Sequence, residues 1–274
     1  MRTILFVTLL LLGLHGPSLA QVPFSHSSSP DGVGFTKRTY VAGSDTLRYR
    51  LLYPLNYDSR KKYPLLLYLH GNGERGNDNQ TSLVRVPTAL TNESGRQQFP
   101  CFMLVPQCPR KQVWVDFPHF PRSLRTSAEP TRPARLTLAL VDELIDQLAI
   151  DPDRVYLTGY SGGGEGAFDL LMRRPRLFAA AIPVCSVADT GMAVAIYTTP
   201  VWLFHGSADK VNPALYSRLM VAALCQHGGN PIYTEYSGAG HNIVQQAYAE
   251  AGLFEWLFDQ RKRYHKQRVT PNKR

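Results

Sequence analysis

Residues 155–163, VYLTGYSGG, decide the fold of this chain. A short apolar run, typical of a buried strand, leads into the pattern Gly-x-Ser-x-Gly, and residues 164–172 continue with a composition typical of a helix. A nucleophilic serine needs such a sharp strand-to-helix turn to project its hydroxyl from the edge of a sheet. The glycines beside it let strand and helix approach closely. We therefore predict that Ser161 is a nucleophile at a strand end.

Segments with strand character alternate with helical ones on both sides of this motif. Such alternation predicts an α/β fold with a doubly wound, mostly parallel sheet and helices on both faces. Continuous apolar character marks buried strands, whereas leucines four residues apart mark a helix. We predict strands at 48–53, 64–70, 102–105, 155–158, 179–184, 201–204 and 232–236, and helices at 136–148, 164–172, 214–225 and 244–258. Within this pattern, residues 48–53 have the alternation of an outer strand.

Two further residues at predicted strand ends complete a reactive set with Ser161. Asp209 follows the strand at 201–204, and His241 stands in a glycine-rich loop after the last strand. An acid can orient a histidine and stabilise its protonated form, and the histidine can act as general base. The order Ser161, Asp209, His241 is that of α/β-hydrolase triads. Asp189 is the alternative acid.

Residues 69–73, LHGNG, end the most apolar strand and predict an oxyanion-binding loop. Backbone N–H groups stabilise an oxyanion without reorganising during the reaction. In this architecture one donor follows the nucleophile, here Gly162, and the other comes from the earlier loop. We favour Asn72 as that second donor, with Gly73 as the alternative.

Other polar residues near these motifs favour structural roles. His70 is expected to brace the oxyanion loop, and His205 to be a structural hydrogen-bonding group. Glu165 falls in the first turn of the helix after Ser161, where an acid favours the helix N-terminus. A substrate contact is the alternative for Glu165.

Residues 107–134 interrupt the alternation with five prolines and no periodicity. A long irregular segment inside a compact domain is often an active-site cover. Trp114 is its candidate substrate-binding residue. The alternative is a surface loop whose aromatic side chains anchor it.

The two ends of the chain differ in character from the body. Residues 1–20 combine Arg2, an apolar run at 4–14 and small residues at 18–20, which predict a signal peptide and a secreted or periplasmic protein. Residues 21–34 are expected to form a loose leader, 35–259 an α/β-hydrolase domain and 260–274 a basic disordered tail.

The net charge of +9 is concentrated at these ends. Seven cations follow Gln260 and one is Arg2, so the body is nearly neutral. With no recognition motif and no basic face in the body, nucleic-acid binding is not predicted. An uncleaved membrane anchor is the alternative for residues 4–14, but this run is short for a span and no other apolar stretch approaches membrane length, so no membrane span is expected.

The four cysteines form no Cys-x-x-Cys pair, so no metal site is predicted. Cys101 and Cys108 flank an extended strand, which would hold them too far apart to bond. Free, mostly buried thiols are expected, although an exported chain permits disulfides.

Five stretches of the chain carry a family resemblance: 63–76 (YPLLLYLHGNGERG), 106–109 (PQCP), 159–163 (GYSGG), 200–209 (PVWLFHGSAD) and 233–242 (YTEYSGAGHN). They resemble the phospholipase/carboxylesterase-like branch of the α/β-hydrolases, also called "predicted peptidase". The resemblance spans about residues 36–258 and implies a serine esterase with a Ser-His-Asp triad and an acyl-enzyme, related to feruloyl esterases and polyester depolymerases. The implied substrate is a small-molecule or polymer-linked ester, with no cofactor.

One position departs from this branch. The residue after the nucleophile, often Met or another larger residue in the branch, is Gly162 here. The change leaves the backbone N–H intact and predicts a wider acyl pocket.

Two other functions remain open at this point. The first is a peptidase of the prolyl-oligopeptidase type, which usually carries a large propeller domain for which this chain has no room. The second is a non-catalytic binding module, a kind of protein that tends to lose a triad member.

Overall fold

An eight-stranded sheet runs through the computed structural model, which describes residues 34–119 and 122–262. The strand order is β1-β2-β4-β3-β5-β6-β7-β8. The pairs β1–β2 and β2–β4 are antiparallel, and all other neighbours are parallel. The strands are β1 Thr36–Ala42, β2 Asp45–Leu52, β3 Tyr63–Leu69, β4 Phe102–Pro106, β5 Ile150–Tyr160, β6 Ala180–Val184, β7 Trp202–Gly206 and β8 Ile232–Tyr236.

The predicted doubly wound, mostly parallel α/β sheet is thereby confirmed, but its outer strand is not the predicted one. Residues 48–53 belong largely to β2, which is covered by the additional edge strand β1. The sequence of β1 alternates exposed and half-buried positions without a strongly apolar side. That weak pattern explains why sequence reasoning missed it.

Helices follow most of the parallel strands. Their bounds are α1 Thr88–Thr91, α2 Glu93–Gln98, α3 Arg132–Gln147, α4 Gly162–Arg173, α5 Ala193–Ile196, α6 Leu215–Gln226, α7 Val244–Tyr248 and α8 Leu253–Asp259.

Two helix boundaries differ from the predicted ones. Helix α3 starts four residues earlier than expected, because Thr131 caps it by accepting the Ala134 N–H and Pro133 is compatible with the first turn. The predicted helix at 244–258 is two helices. Gly252 between them has φ of +75°, a left-handed conformation that ends helical geometry.

The sheet has an apolar core on each face. Leu65, Leu140 and Phe168 lie in the cluster beneath α3 and α4. Tyr68 and Leu253 belong to the cluster on the opposite face, which packs against α7 and α8. Full burial of each large apolar side chain contributes about 1.5–3 kcal/mol, so the sheet is held from both sides.

The carboxyl ends of β3, β5, β7 and β8 meet at one edge of the sheet, because these strands are parallel. In open α/β sheets this is the edge where ligands bind. The predicted oxyanion loop, nucleophile, acid and histidine all follow one of these four strands.

The four cysteines are free, as predicted: Cys101, Cys108 and Cys185 are buried and Cys225 is exposed. Within residues 34–119 and 122–262, no helix has the length and apolar character needed to cross a membrane. The predicted signal peptide, the leader up to residue 33 and the tail from residue 263 lie outside the described residues.

Candidate active site

Ser161 occupies a strained turn between β5 and α4. Its backbone has φ of +55° and ψ of −123°, a conformation that side-chain-bearing residues rarely adopt. The neighbouring glycines are needed sterically: a Cβ at Gly159 would lie 2.2 Å from the Gly163 carbonyl oxygen, and one at Gly163 would lie 2.0 Å from the Leu69 oxygen. This is the strand–turn–helix geometry predicted from Gly-x-Ser-x-Gly.

A continuous hydrogen-bond chain joins the three residues that the sequence singled out. His241 Nε2 is 2.8 Å from Ser161 Oγ, and His241 Nδ1 is 2.6 Å from Asp209 Oδ2. The Asp209 side chain is fully buried, whereas that of His241 is 18% exposed. A proton can therefore pass from the serine hydroxyl to an imidazole whose far side faces a buried carboxylate.

The Asp209 carboxylate is held by several donors. Oδ1 accepts from the backbone amides of Val211 and Asn212, at 2.8 and 2.9 Å. Burial alone would raise the pKa of Asp209, but the hydrogen bonds from His241, Asn212 and Val211 outweigh it and hold this pKa below its ordinary value. The group is consequently an anion at neutral pH.

Asn212 connects this acid to its surroundings through three separate groups. Besides its backbone amide on Asp209, its carbonyl lies 2.7 Å from His205 Nε2. Its side-chain Nδ2 donates to Glu165 Oε1 and to the Cys185 carbonyl, at 3.2 and 2.9 Å. Nothing in the sequence pattern marked Asn212, because the partners of its side chain, Glu165 and Cys185, are 47 and 27 positions away.

His205 is a buried hydrogen-bonding residue, as the sequence predicted. Its Nδ1 lies 2.7 Å from Ser217 Oγ, and its Nε2 is also 3.2 Å from Asp209 Oδ2. Burial lowers its pKa, which favours the neutral ring. The alternative acid Asp189 lies away from this network, where its carboxylate accepts from the Gly191 amide in a short helical turn.

The predicted oxyanion donors lie on adjacent segments. Gly162 is the first residue of α4, and Asn72 begins a helical turn at Asn72–Glu74. The Asn72 side chain packs over Gly162, since a Cβ on Gly162 would be 2.5 Å from Asn72 Oδ1. The expectation of a wider acyl pocket at Gly162 is therefore wrong: the Asn72 carboxamide occupies the space that a larger residue would fill.

His70 braces the oxyanion loop, as expected. Its Nδ1–H donates to the Gly71 carbonyl at 2.7 Å, and its Nε2 accepts the Cys108 amide at 3.0 Å. Burial lowers the pKa of His70, which favours this neutral tautomer.

Trp114 does not line a substrate pocket in the structure. The residue is only 2% exposed, and its Nε1–H donates to the His70 carbonyl at 2.9 Å. Its Cβ also packs closely on Gly166 of α4. The sequence favoured a substrate contact because Trp114 lies in an irregular segment, but burial of the indole instead fixes that segment to the domain.

Arg85 ties the oxyanion loop to the histidine loop. Its Nε donates to Glu74 Oε1 at 2.9 Å and its Nη1 to Asn242 Oδ1 at 2.7 Å. The guanidinium also lies 5.4 Å from the ring centre of Tyr160, the residue before the nucleophile. Sequence reasoning missed this group because Arg85 and Asn242 are 157 positions apart.

Glu165 lies one helical turn after Ser161 and is hydrogen-bonded to Asn212. Burial raises its pKa to about 6, against a smaller opposing effect of the Asn212 hydrogen bond. Its contacts are those of a structural residue, which the sequence favoured over a substrate contact.

One set of potential metal ligands exists in the described part of the chain. Ligand atoms of Cys185, His205 and Asp209 lie within 4.8 Å of one another. The groups are already engaged, since His205 bonds to Asn212 and Ser217, and Asp209 to His241. Burial also raises the pKa of the Cys185 thiol to about 12, whereas a metal needs the thiolate. The arrangement fits hydrogen bonding better than metal binding.

The chain is similar in sequence and structure to known hydrolases. A model of the prolyl oligopeptidase family matches residues 132–202. The solved structure of a thermostable esterase is 32% identical, with a TM-score of 0.75, and the match covers 83% of this chain and 63% of the esterase. A probable carboxylesterase of Oryza sativa subsp. japonica is 24% identical over 212 residues, which are 72% of this chain and 88% of the relative. The chain has the α/β-hydrolase fold and is similar to these esterases.

Other solved α/β-hydrolases share the fold at lower identity. A CE1 ferulic acid esterase from Anaeromyces mucronatus is 16% identical with a TM-score of 0.59, over 87% of this chain and 95% of that one. The resemblance inferred from sequence motifs is thereby confirmed at the level of the α/β-hydrolase.

Proposed function

We propose that this α/β-hydrolase cleaves carboxylic esters through a Ser161–His241–Asp209 triad. The observation that carries the proposal is the hydrogen-bond chain from Ser161 Oγ through both nitrogens of His241 to Asp209. The strained backbone of Ser161 supports it, because strain of this kind clusters at functional sites.

The reaction would follow from these positions. His241 Nε2 takes the proton as Ser161 Oγ attacks the ester carbonyl, and Asp209 stabilises the imidazolium that forms. The backbone N–H groups of Gly162 and Asn72 stabilise the oxyanion. Collapse releases the alcohol with the proton from His241 and leaves an acyl group on Ser161. Water, deprotonated by His241, then frees the acid and restores the serine.

A peptidase activity is the second candidate, because the prolyl oligopeptidase model matches a segment that contains the nucleophile turn. The same residues would act on an amide carbonyl. Turnover of peptide p-nitroanilides measured beside that of p-nitrophenyl esters compares the two activities directly.

The experiment compares ester hydrolysis by the wild type, Ser161→Ala and a matched control, Ser186→Ala. Ser186 is a buried serine near the same turn whose hydroxyl has no partner among the described residues. We expect Ser161→Ala to lose turnover by on the order of 10³-fold or more with folding intact, and Ser186→Ala to retain it. Substantial turnover by Ser161→Ala would refute the nucleophile assignment.

We further propose that the protein is exported, on the basis of the apolar run at 4–14 and the small residues at 18–20. Expression of the full chain with N-terminal sequencing of the mature protein tests this. We expect Gln21 to be the first residue, and a product that keeps residues 1–20 would contradict export by cleavage.

A further inference from the structure

A basic cleft lies beside the oxyanion loop at the catalytic edge of the sheet. It has a volume of about 440 Å³ and lies where β2 and β4 meet the segment after β4. Four cationic side chains line it: Arg48, Arg110, Lys111 and Arg132. They come from β2, from the turn after β4 and from the start of α3, so the fold brings together cations that are separate in sequence.

The cations of this cleft are poorly neutralised by the protein itself. Asp45 pairs with Arg132, but it also pairs with Arg135 outside the cleft. Among the described residues, Arg48, Arg110 and Lys111 have no acidic partner within ion-pair distance, and all three are exposed.

Asp78, an acid beside the cleft, forms no ion pair with the cleft cations in the described part of the chain and accepts hydrogen bonds from neutral donors instead. Its Oδ1 accepts from Gln107 Nε2 and the Gln80 amide, and its Oδ2 from the Thr81 hydroxyl. Because the body of the chain is nearly neutral, the positive charge in the cleft is a local feature and not a general background.

A single arginine separates the cleft from the oxyanion loop. Arg75 Nε donates to the Asn72 carbonyl at 3.0 Å, and its Nη1 donates to the carbonyl of Gln112, which lines the cleft, at 3.1 Å. The strand order gives a similar separation, because β4 is two strands from β5 and neighbouring strands are about 4.8 Å apart. Because β2, the other strand of the cleft, is three strands from β5, a group bound in the cleft would lie about 10–14 Å from a carbonyl attacked by Ser161.

We propose that this cleft binds carboxylates of the substrate, so that the preferred esters are those carried by a polycarboxylate chain such as a uronate-containing saccharide. This inference rests on the proposed ester hydrolysis and specifies its substrate. Several cations in one cleft suit a ligand with repeated negative charges, and arginine guanidinium groups match the planar geometry of carboxylates.

The kinetic test compares O-acetylated polygalacturonate with O-acetylated xylan, an acidic and a neutral polymer that carry the same ester. The variant is Arg110→Glu/Lys111→Glu. The matched control is Lys61→Glu/Lys62→Glu. These two exposed lysines immediately precede β3 and therefore lie at the opposite edge of the sheet. Both variants change the net charge by the same amount.

We expect the cleft variant to raise KM for the acidic polymer about tenfold, with kcat for that polymer and both kinetic constants for the neutral polymer unchanged. Each exposed ion pair is weak, but the variant changes the charge of the cleft by four units. The preference of the wild type should also disappear at about 0.5 M salt, where charges are screened. Equal KM values for both polymers in the wild type, or the same loss in the control variant, would overturn the proposal.

A binding measurement separates this proposal from the proposed function. Calorimetry of trigalacturonate, maltotriose and the small tricarboxylate tricarballylate does not depend on catalysis. We expect trigalacturonate to bind, maltotriose not to bind, and the cleft variant to lose the binding. If tricarballylate binds as tightly as trigalacturonate, the cleft is a site for small polycarboxylates and the proposed preference for a polymer is wrong. If neither compound binds, the proposed carboxylate site is overturned. Absent turnover of every ester would instead refute the proposed function.

Discussion

Replacement of Gly163 by alanine should strongly destabilise the nucleophile turn. The new Cβ would lie 2.0 Å from the Leu69 carbonyl oxygen and 2.6 Å from that of His70. Both atoms are backbone at the end of β3, so the helix and the strand would have to separate by more than about 1 Å to reach ordinary van der Waals contact. Overpacking of a core typically lowers the free energy of unfolding by about 1–3 kcal/mol. We expect a decrease of about 3 kcal/mol for Gly163→Ala, because the clashing atoms are backbone and no side chain can move aside.

Gly162→Ala is the matched control for this prediction. Its Cβ would meet the Asn72 carboxamide at 2.5 Å, but that side chain is exposed and can rotate. Both glycines lie in α4, so the gain in helix propensity, about 1 kcal/mol, is shared. Urea unfolding should place Gly163→Ala at least about 2 kcal/mol below Gly162→Ala in free energy of unfolding. Equal values for the two variants would refute the close approach of β3 and α4.

Three further predictions concern the acid, the buried glutamate and the tryptophan. Asp209→Asn should lower kcat by on the order of 10⁴-fold, the serine-protease precedent, whereas Asp189→Asn should leave ester turnover nearly unchanged; the reverse would move the acid to Asp189. The pKa of Glu165 is raised to about 6 from 4.5, so its ionisation costs folding stability as pH rises through that window. In urea unfolding, the free energy of unfolding of Glu165→Gln minus that of wild type should therefore increase from pH 4 to pH 8 by up to about 2 kcal/mol. A difference that does not change with pH would contradict this. Trp114→Phe should cost about 1–3 kcal/mol of unfolding free energy, because the His70 carbonyl loses its buried donor; a change of preference between short and aromatic esters at unchanged stability would restore the substrate role of Trp114.

The sequence predicts the parallel part of the sheet well because its signals are local. Strands such as β3 are buried on both faces and are therefore continuous apolar runs. The nucleophile turn is equally local, since Gly159 and Gly163 must lack side chains for β5 and α4 to approach. Parallel strands then bring Asp209 and His241 to the same edge as Ser161, which is why strand-end positions alone located the three side chains.

Features that depend on distant contacts could not be predicted in the same way. The link from Arg85 to Asn242 joins segments far apart in sequence, and so do the side-chain hydrogen bonds from Asn212 to Glu165 and to the Cys185 carbonyl. For Trp114 the sequence predicted a substrate contact that the structure does not have. An irregular segment of sequence does not reveal whether an aromatic side chain in it faces solvent or the core, and the Trp114 side chain is buried. Gly162 shows that the space left by a missing side chain can be filled by a neighbour, here Asn72.

Covalent labelling with a fluorophosphonate, followed by peptide mass mapping, tests the proposed triad most directly. The reagent phosphonylates a serine only when a base activates it, so the probe reports Ser161 and His241 together without any choice of substrate. We predict one adduct per chain, on the peptide that contains Ser161, with no adduct in Ser161→Ala and greatly slowed labelling in His241→Ala. A folded wild-type protein that stays unlabelled, or an adduct on a different serine, would contradict the proposed mechanism.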